Sequence, residues 1–209
     1  MINRHKVFIS YYHADDQLYK YQLENMRYFD RDKMRFESVF EDCSVRNGDI
    51  DYSLSSEQIR KTIRDYYIQD ATVLILLCGR NTKRRKHVDW EIHAAMYNSD
   101  INPQMGILVI NLPSISQHVR ASHNGEEELI DPNTTWVKCN TDRLYNESSY
   151  PFMPDRIIDN FVLDKPITVV NWSTIQNNPE KLMRFIDNAF VNRNKFKYDH
   201  SRPLRRNNS

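Results

Sequence analysis

Apolar and polar positions follow two different periods in the first half of the chain, and each period predicts a different element. Short apolar runs at Lys6–Ser10, Thr72–Cys78 and Gly106–Asn111 are typical of buried strands. Between them, apolar residues recur every three or four positions, as they do along one face of a helix. The alternation of strands and helices predicts an α/β domain with a parallel sheet that helices cover on both faces.

The same patterns give the remaining elements. These are two helices, a weaker strand, a polar turn and a last strand: Asp15–Phe29, Ser53–Ile68, Phe36–Phe40, Glu41–Asp51 and Ile167–Trp172. After the last strand, Asn178 and Pro179 are the residue types that favour the N-cap and the first position of a helix. We therefore expect a final helix that begins there.

Residues 113–166 interrupt this order, because they contain several prolines and little periodicity. A structureless stretch of ~50 residues is unusual inside a compact domain. We expect an insertion with short elements of its own, a strand at Trp136–Cys139 and a turn of helix near Arg156–Phe161. The chain thus reads as one domain over residues 1–192 and a basic, disordered tail over residues 193–209.

Composition narrows the class of protein. The formal net charge is +1 and 40% of the residues are hydrophobic, which argues against disorder and against a nucleic-acid binder. No apolar run approaches the ~20 residues that span a bilayer. The cysteines are odd in number and lack metal-ligand spacing. We expect a cytoplasmic protein without a metal site, a membrane contact or a nucleic-acid partner.

The candidate chemistry lies in the segment Lys83–Tyr97, which follows the most apolar strand. Its helical core stripe consists of Val88, Ile92, Ala95 and Met96. Glu91 lies about 100° from that stripe, so it can face the edge of the core. Open α/β sheets place their chemistry at the carboxyl ends of strands. The alternative is a surface Glu that the helix macrodipole favours.

Taken together, these segments resemble a TIR domain. KVFISYYHAD resembles the opening box of that family, EDCSVRNGDI its second box, HVDWE its third signature and VNW its last element. NTKRRKHVDWEI is more closely similar to the bacterial TIR-like group that includes the TIR subunit of Thoeris antiphage systems. The resemblance covers residues 5–112 and, loosely, the last strand and helix. One departure is His87, where the family usually has Trp, and Trp90 is the candidate replacement for that ring.

The resemblance implies a flavodoxin-like, doubly wound, parallel five-stranded sheet of order 2-1-3-4-5, with the long insertion before the last strand. Strands 1 and 3 are then neighbours, and the loops that follow them converge on one crevice. Glu91 is the expected catalytic residue. The expected substrate-binding residues are Ser10, Tyr12, His13, Asp42 and His87.

Catalytic TIR domains cleave the bond between nicotinamide and ribose in NAD⁺. Because the nicotinamide ring is already cationic, its departure requires no strong acid, and one carboxylate can stabilise an oxocarbenium-like transition state. The resemblance implies that a cyclic or conjugated ADP-ribose product then activates a separate effector protein. NAD⁺ is a substrate in this reading, and no cofactor is expected.

Two other readings remain open. Many TIR domains act without catalysis, through homotypic assembly, and catalytic ones often complete their site with a neighbouring subunit through the loop after strand 2, here Asp42–Asp49. A receiver or nucleotide-binding domain of the same fold is the third reading. It is disfavoured because we expect no acidic cluster after strand 1, and the chain has no Rossmann glycine motif and no P-loop.

Overall fold

The computed structural model describes residues 4–44, 58, 62, 68, 70–99, 103–137 and 140–208. The predicted helix Ser53–Ile68, apart from three isolated positions, and residues 45–51 of the predicted turn lie outside the described residues. The strands are β1 Lys6–Ser10, β2 Arg27–Asp30, β3 Arg35–Ser38, β4 Glu41–Asp42, β5 Val73–Cys78, β6 Gly106–Asn111, β7 Val119–Arg120, β8 Trp136–Val137 and β9 Thr168–Asn171. The helices are α1 His13–Glu24, α2 Lys86–Met96, α3 Arg143–Ser149, α4 Asp155–Val162, α5 Trp172–Ile175 and α6 Pro179–Asn192.

The main sheet has the order β4-β1-β5-β6-β9-β7-β8. Its first five strands are parallel and reproduce the predicted order 2-1-3-4-5, so the flavodoxin-like fold class is confirmed. The insertion adds β7, which runs antiparallel to β9, and β8, which pairs with β7. The insertion therefore widens the sheet at the edge farthest from β1.

Two predicted elements near the start of the chain differ from the structure. The first helix ends at Glu24 and not at Phe29, because the chain then forms an antiparallel hairpin of β2 and β3. The predicted strand Phe36–Phe40 belongs largely to that hairpin. The edge strand beside β1 is instead β4, whose two residues are acidic and carry no apolar pattern.

Separate apolar cores lie on the two faces of the sheet. Alternation along β1 turns Phe8 and Ser10 to the face that α2 and α4 cover. Val7 and Ile9 turn to the opposite face, which α1 and α6 cover. The strand β5 between them is completely buried, as its apolar sequence predicts. On the α6 side, the Asn178 side chain accepts a hydrogen bond from the backbone N–H of Lys181, which confirms the predicted N-cap.

Residues 199–205 of the tail are bound to α2 and α4, in contrast to the disordered tail over residues 193–209 that we expected from its basic composition. Arg156 of α4 is completely buried and donates to the backbone carbonyl of Arg202 at 3.0 Å. Asn160 donates to the carbonyl of Asp199 at 2.8 Å and accepts from its N–H at 2.9 Å. Buried polar side chains of α4 thus hold the tail by its backbone, which its own composition cannot reveal.

The tail also holds the helix that carries Glu91. Asp89 accepts hydrogen bonds of 3.0 and 3.1 Å from the guanidinium of Arg156, and one of 2.9 Å from the backbone N–H of Arg205. The indole of Trp90 donates to the carbonyl of Arg205 at 2.9 Å. The two residues before Glu91 are therefore fixed by α4 and the tail.

No helix among the described residues is both long and apolar enough to cross a membrane.

We predict that Arg156→Met lowers the free energy of unfolding by about 3–5 kcal/mol, because it leaves the carboxylate of Asp89 and several backbone carbonyls without their buried donor. Urea denaturation followed by circular dichroism measures the change. Arg143→Met is the control, because Arg143 pairs with Glu147 and Asp159 at the surface and its loss should cost about 1 kcal/mol or less. Equal losses for the two variants would contradict the structural role of Arg156.

Candidate functional site

The candidate site lies where α2 meets the carboxyl end of β1. Ser10 is the last residue of β1, and its hydroxyl donates a hydrogen bond of 2.6 Å to Oε2 of Glu91. Ser10 is completely buried and Glu91 is 9% exposed. The strand β1 pairs with β5 along most of its length, as the predicted order requires. The structure thus brings together two predicted site residues that lie far apart in the sequence.

Burial determines the charge of Glu91. Removal from water raises the pKa of its carboxyl from 4.5 to about 8, and the hydrogen bond from Ser10 opposes this rise. The carboxyl is therefore largely protonated at neutral pH. A buried carboxyl with such a pKa at the carboxyl end of a sheet is the pattern that functional acids show.

Three more predicted residues surround the facing ends of α1 and α2. Tyr12 directly precedes α1, and the guanidinium of Arg85 lies 3.8 Å above the centre of its ring. His13 begins α1, and His87 lies in the first turn of α2. Burial, and then the positive charges of Lys86 and His13, lower the pKa of His87 to about 4. These residues therefore belong to neighbouring parts of one rim.

Trp90, the candidate for the ring that His87 lacks, is oriented towards the tail. Trp90 is 5% exposed and packs edge-on against His87, with 5.0 Å between the ring centroids. Its N–H is used by the carbonyl of Arg205. Trp90 therefore packs against His87, and its buried ring is not available for contact with a ligand in the crevice.

The structure does not bring Asp42 to Glu91. Asp42 pairs in register with Val7, whose side chain lies in the core on the α1 face, whereas Glu91 lies on the α2 face. Its carboxylate accepts from Lys20 of α1 at 2.8 Å and from the backbone N–H of Ser44 at 2.9 Å. Burial raises the pKa of Asp42, but the bonds from Lys20 and Ser44 outweigh it and the net shift is downward. The strand register is the reason for this difference.

Sequence reasoning missed the buried carboxyl of Asp16, in the first turn of α1. It is 3% exposed, and a Cβ atom on Gly79 would lie 2.7 Å from both of its oxygens. Only a glycine at the end of β5 allows this close approach. Burial, and then the charge of Asp15, raise the pKa of Asp16 to about 6. The available signal was the pair Asp15–Asp16, and it corrects our expectation that no acidic cluster follows strand 1.

The insertion covers the carboxyl ends of the next strands. The side chain of Gln117 donates to Oδ1 of Asn111 at 2.6 Å and approaches the sulfur of Cys78 at 3.6 Å. Asn111 in turn donates to Asn171 at 3.1 Å. Cys78, Asn111 and Asn171 end β5, β6 and β9. The insertion therefore lies over the carboxyl ends of these strands and also forms the sheet edge farthest from β1.

The groups gathered here are a carboxyl, a hydroxyl, imidazoles and aromatic rings. Within the described part of the chain, no three His, Cys, Asp or Glu side chains lie close enough to hold a metal ion. A carboxyl with a pKa near 8 ionises readily when a positive charge approaches it. The arrangement therefore suits a substrate or transition state that places positive charge beside Glu91.

Comparison with known families agrees with this geometry. The model of the family described as "Thoeris protein ThsB, TIR-like domain" matches residues 8–117, which include β5, α2 and the Ser10–Glu91 pair. No curated protein matches the chain. The family match spans more than half of the 209 residues. The chain therefore belongs to the TIR-like family of the Thoeris protein ThsB.

Proposed function

We propose that this protein is an NAD⁺ nucleosidase or ADP-ribosyl cyclase of antiphage defence. It cleaves the bond between nicotinamide and ribose and forms a cyclic or conjugated ADP-ribose signal, which activates a separate effector protein in the cytoplasm. The observation that carries the proposal is the buried hydrogen bond between Ser10 and Glu91 at the carboxyl ends of β1 and β5. The family membership supports the same reading.

In this proposal, binding of the substrate lowers the pKa of Glu91, so that its proton leaves to solvent and the carboxylate forms. The nicotinamide ring of NAD⁺ carries a positive charge, which favours the carboxylate over the neutral acid. As the bond to nicotinamide breaks, positive charge moves to the ribose, and the carboxylate stabilises that oxocarbenium-like state. Ser10 holds the carboxyl in place and favours its ionised form through the hydrogen bond. Tyr12, His13 and His87 are proposed to contact the substrate at the rim.

Assembly belongs to the proposal as well. Catalytic TIR domains often complete their site with a neighbouring subunit. We therefore propose that the active form of this protein is a homo-oligomer. Purified protein is therefore assayed over a range of concentrations. Incubation with NAD⁺ and mass identification of every adenine-containing product tests the activity and names the product.

One observation favours the alternative, a TIR module that acts only through assembly. The hairpin of β2 and β3 exposes the apolar side chains of Phe29, Met34 and Phe36, which are 46%, 74% and 70% exposed. An exposed apolar patch of this kind is typical of interaction surfaces. Under this alternative, nicotinamide is not released at any protein concentration, whereas the protein associates and Phe36→Ser prevents association.

We predict that Glu91→Gln lowers the rate of nicotinamide release by about 10²–10³ at pH 8.5, where the carboxylate of the parent is ionised. Gln keeps the shape of the side chain and can still accept the hydrogen bond from Ser10. Glu180→Gln on the exposed start of α6 is the control and should keep the parent rate. Activity of the Glu91→Gln variant at the parent rate would show that Glu91 is structural.

The pH dependence gives a second prediction. Because only the ionised form of Glu91 acts, kcat/KM should rise with pH with an inflection at about 8 and a plateau about one pH unit higher. The profile of kcat should level off at lower pH, because bound NAD⁺ lowers the pKa of Glu91. The free energy of unfolding should change with pH in the opposite direction. The folded state keeps a proton on Glu91 that the unfolded state loses, so unfolding free energy relative to Glu91→Gln should fall between pH 4.5 and about 8. Stability differences that are independent of pH would rule out the raised pKa.

A third prediction concerns Ser10. Ser10→Ala removes the bond that favours the carboxylate, so the inflection of the kcat/KM profile should move up by about one pH unit. Ser122→Ala is the matched control, because its hydroxyl donates to the carbonyl of Ile167 at 2.7 Å at the amino end of β9. Its profile should coincide with that of the parent. Identical profiles for all three proteins would exclude a positioning role for Ser10.

A further inference from the structure

A pocket of about 140 Å³ lies between the loop before α2, the start of α4 and the C-terminal tail. Most of its polar lining consists of charged side chains, namely Lys83, Arg85, Asp89, Asp155, Arg202 and Arg205. Ser10 and Glu91 are not among the described lining residues. The pocket is therefore not built around Glu91, although Arg85 of its lining contacts Tyr12 at the rim of the candidate site.

Both carboxylates of the lining are already bound by cations. Asp89 receives two hydrogen bonds from the buried guanidinium of Arg156. Asp155 lies 3.3 Å from the ammonium group of Lys83 and 3.3 Å from the guanidinium of Arg205. These acids cancel only part of the positive charge, because four cationic side chains and two carboxylates line the pocket. Arg202 is also paired, since its guanidinium donates to Asp159, outside the lining, at 2.8 Å.

Arg85 forms no ion pair with an acid among the described residues, although Asp89 lines the same pocket. Its guanidinium stacks on Tyr12, and its buried Nε has no hydrogen-bond partner among the described residues. Arg85 also directly precedes α2, and α4 begins at Asp155 on the opposite wall. The positive ends of two helix dipoles thus point towards the same space as the cations. All of these contributions favour an anion.

We propose that this pocket binds the diphosphate group of a phosphate-bearing ligand. A cavity of this volume holds several water molecules, so a small polyanion such as a diphosphate can enter it. Cations on the loop before α2 and on the tail match the spread oxygens of a diphosphate better than they match a single small anion. The inference goes beyond the proposed function, because binding here requires neither Glu91 nor cleavage of NAD⁺.

Isothermal titration of the full chain with pyrophosphate, inorganic phosphate and ADP at constant ionic strength tests the proposal. Pyrophosphate should saturate one site and bind at least about tenfold more tightly than phosphate. Tighter binding of ADP than of pyrophosphate identifies a nucleotide as the ligand, and equal binding identifies the diphosphate alone. A parent that shows no saturable pyrophosphate binding at millimolar concentration would overturn the proposal.

Three variants make the test specific. Lys83→Ala and Arg205→Ala should each weaken pyrophosphate binding about tenfold. Arg205 holds the tail to α2 through its backbone, so that contact survives loss of the side chain. Asp155→Asn should strengthen binding severalfold, a change that partial unfolding does not produce.

Arg184→Ala is the charge-matched control, because Arg184 lies on the exposed surface of α6. Its pyrophosphate affinity should equal that of the parent. The proposal is overturned if Arg184→Ala weakens binding as much as Lys83→Ala does, or if Asp155→Asn leaves the affinity unchanged.

Discussion

The position of β1 between β4 and β5 is the constraint on which the candidate site depends. Parallel neighbours end at the same edge of the sheet, so residues that follow β1 and β5 meet although 81 positions separate Ser10 from Glu91. Register sets the face as well as the edge. A slip of one residue would turn Ser10 to the α1 face and remove it from Glu91. The backbone pairing of β1 therefore determines that Ser10 contacts Glu91, and the loops only surround these two residues.

The helix α2 has a second set of restraints that the sheet does not provide. Asp89 and Trp90 stand immediately before Glu91, and both are bound by groups from α4 and the tail. Removing either partner of the Asp89–Arg156 pair would leave a buried charge, so this contact resists local opening. A carboxyl on such a helix is held more precisely than one on a mobile loop. The C-terminal segment, although basic in composition, thus forms part of the support of the site.

The sequence predicts what apolar patterning controls and misses what backbone pairing or distant side chains control. The strands β1, β5, β6 and β9 and the helix with Glu91 follow from apolar runs and a helical stripe. The pattern cannot reveal β4, because Glu41 and Asp42 join the sheet only through their backbone. The prediction for Asp42 was wrong for the same reason. Its position in the sequence suggests that it lies at the crevice, but the sheet face to which its side chain points depends on the register of β4 with β1. The sequence around Arg156 is typical of a surface cation, and its burial becomes apparent only from the packing of α2 and the tail against it.

Within the proposed function, burial of Glu91 predicts that the site prefers oxidised over reduced dinucleotides. A carboxyl with a pKa near 8 is mostly neutral in the resting protein. The cationic ring of NAD⁺ and the carboxylate stabilise each other, and by thermodynamic linkage the ring promotes ionisation as strongly as ionisation promotes binding of the ring. A reduced nicotinamide is uncharged and gains nothing from this coupling. The burial that suppresses the charge of Glu91 in the free protein therefore makes its ionisation depend on the substrate whose bond it would help to cleave.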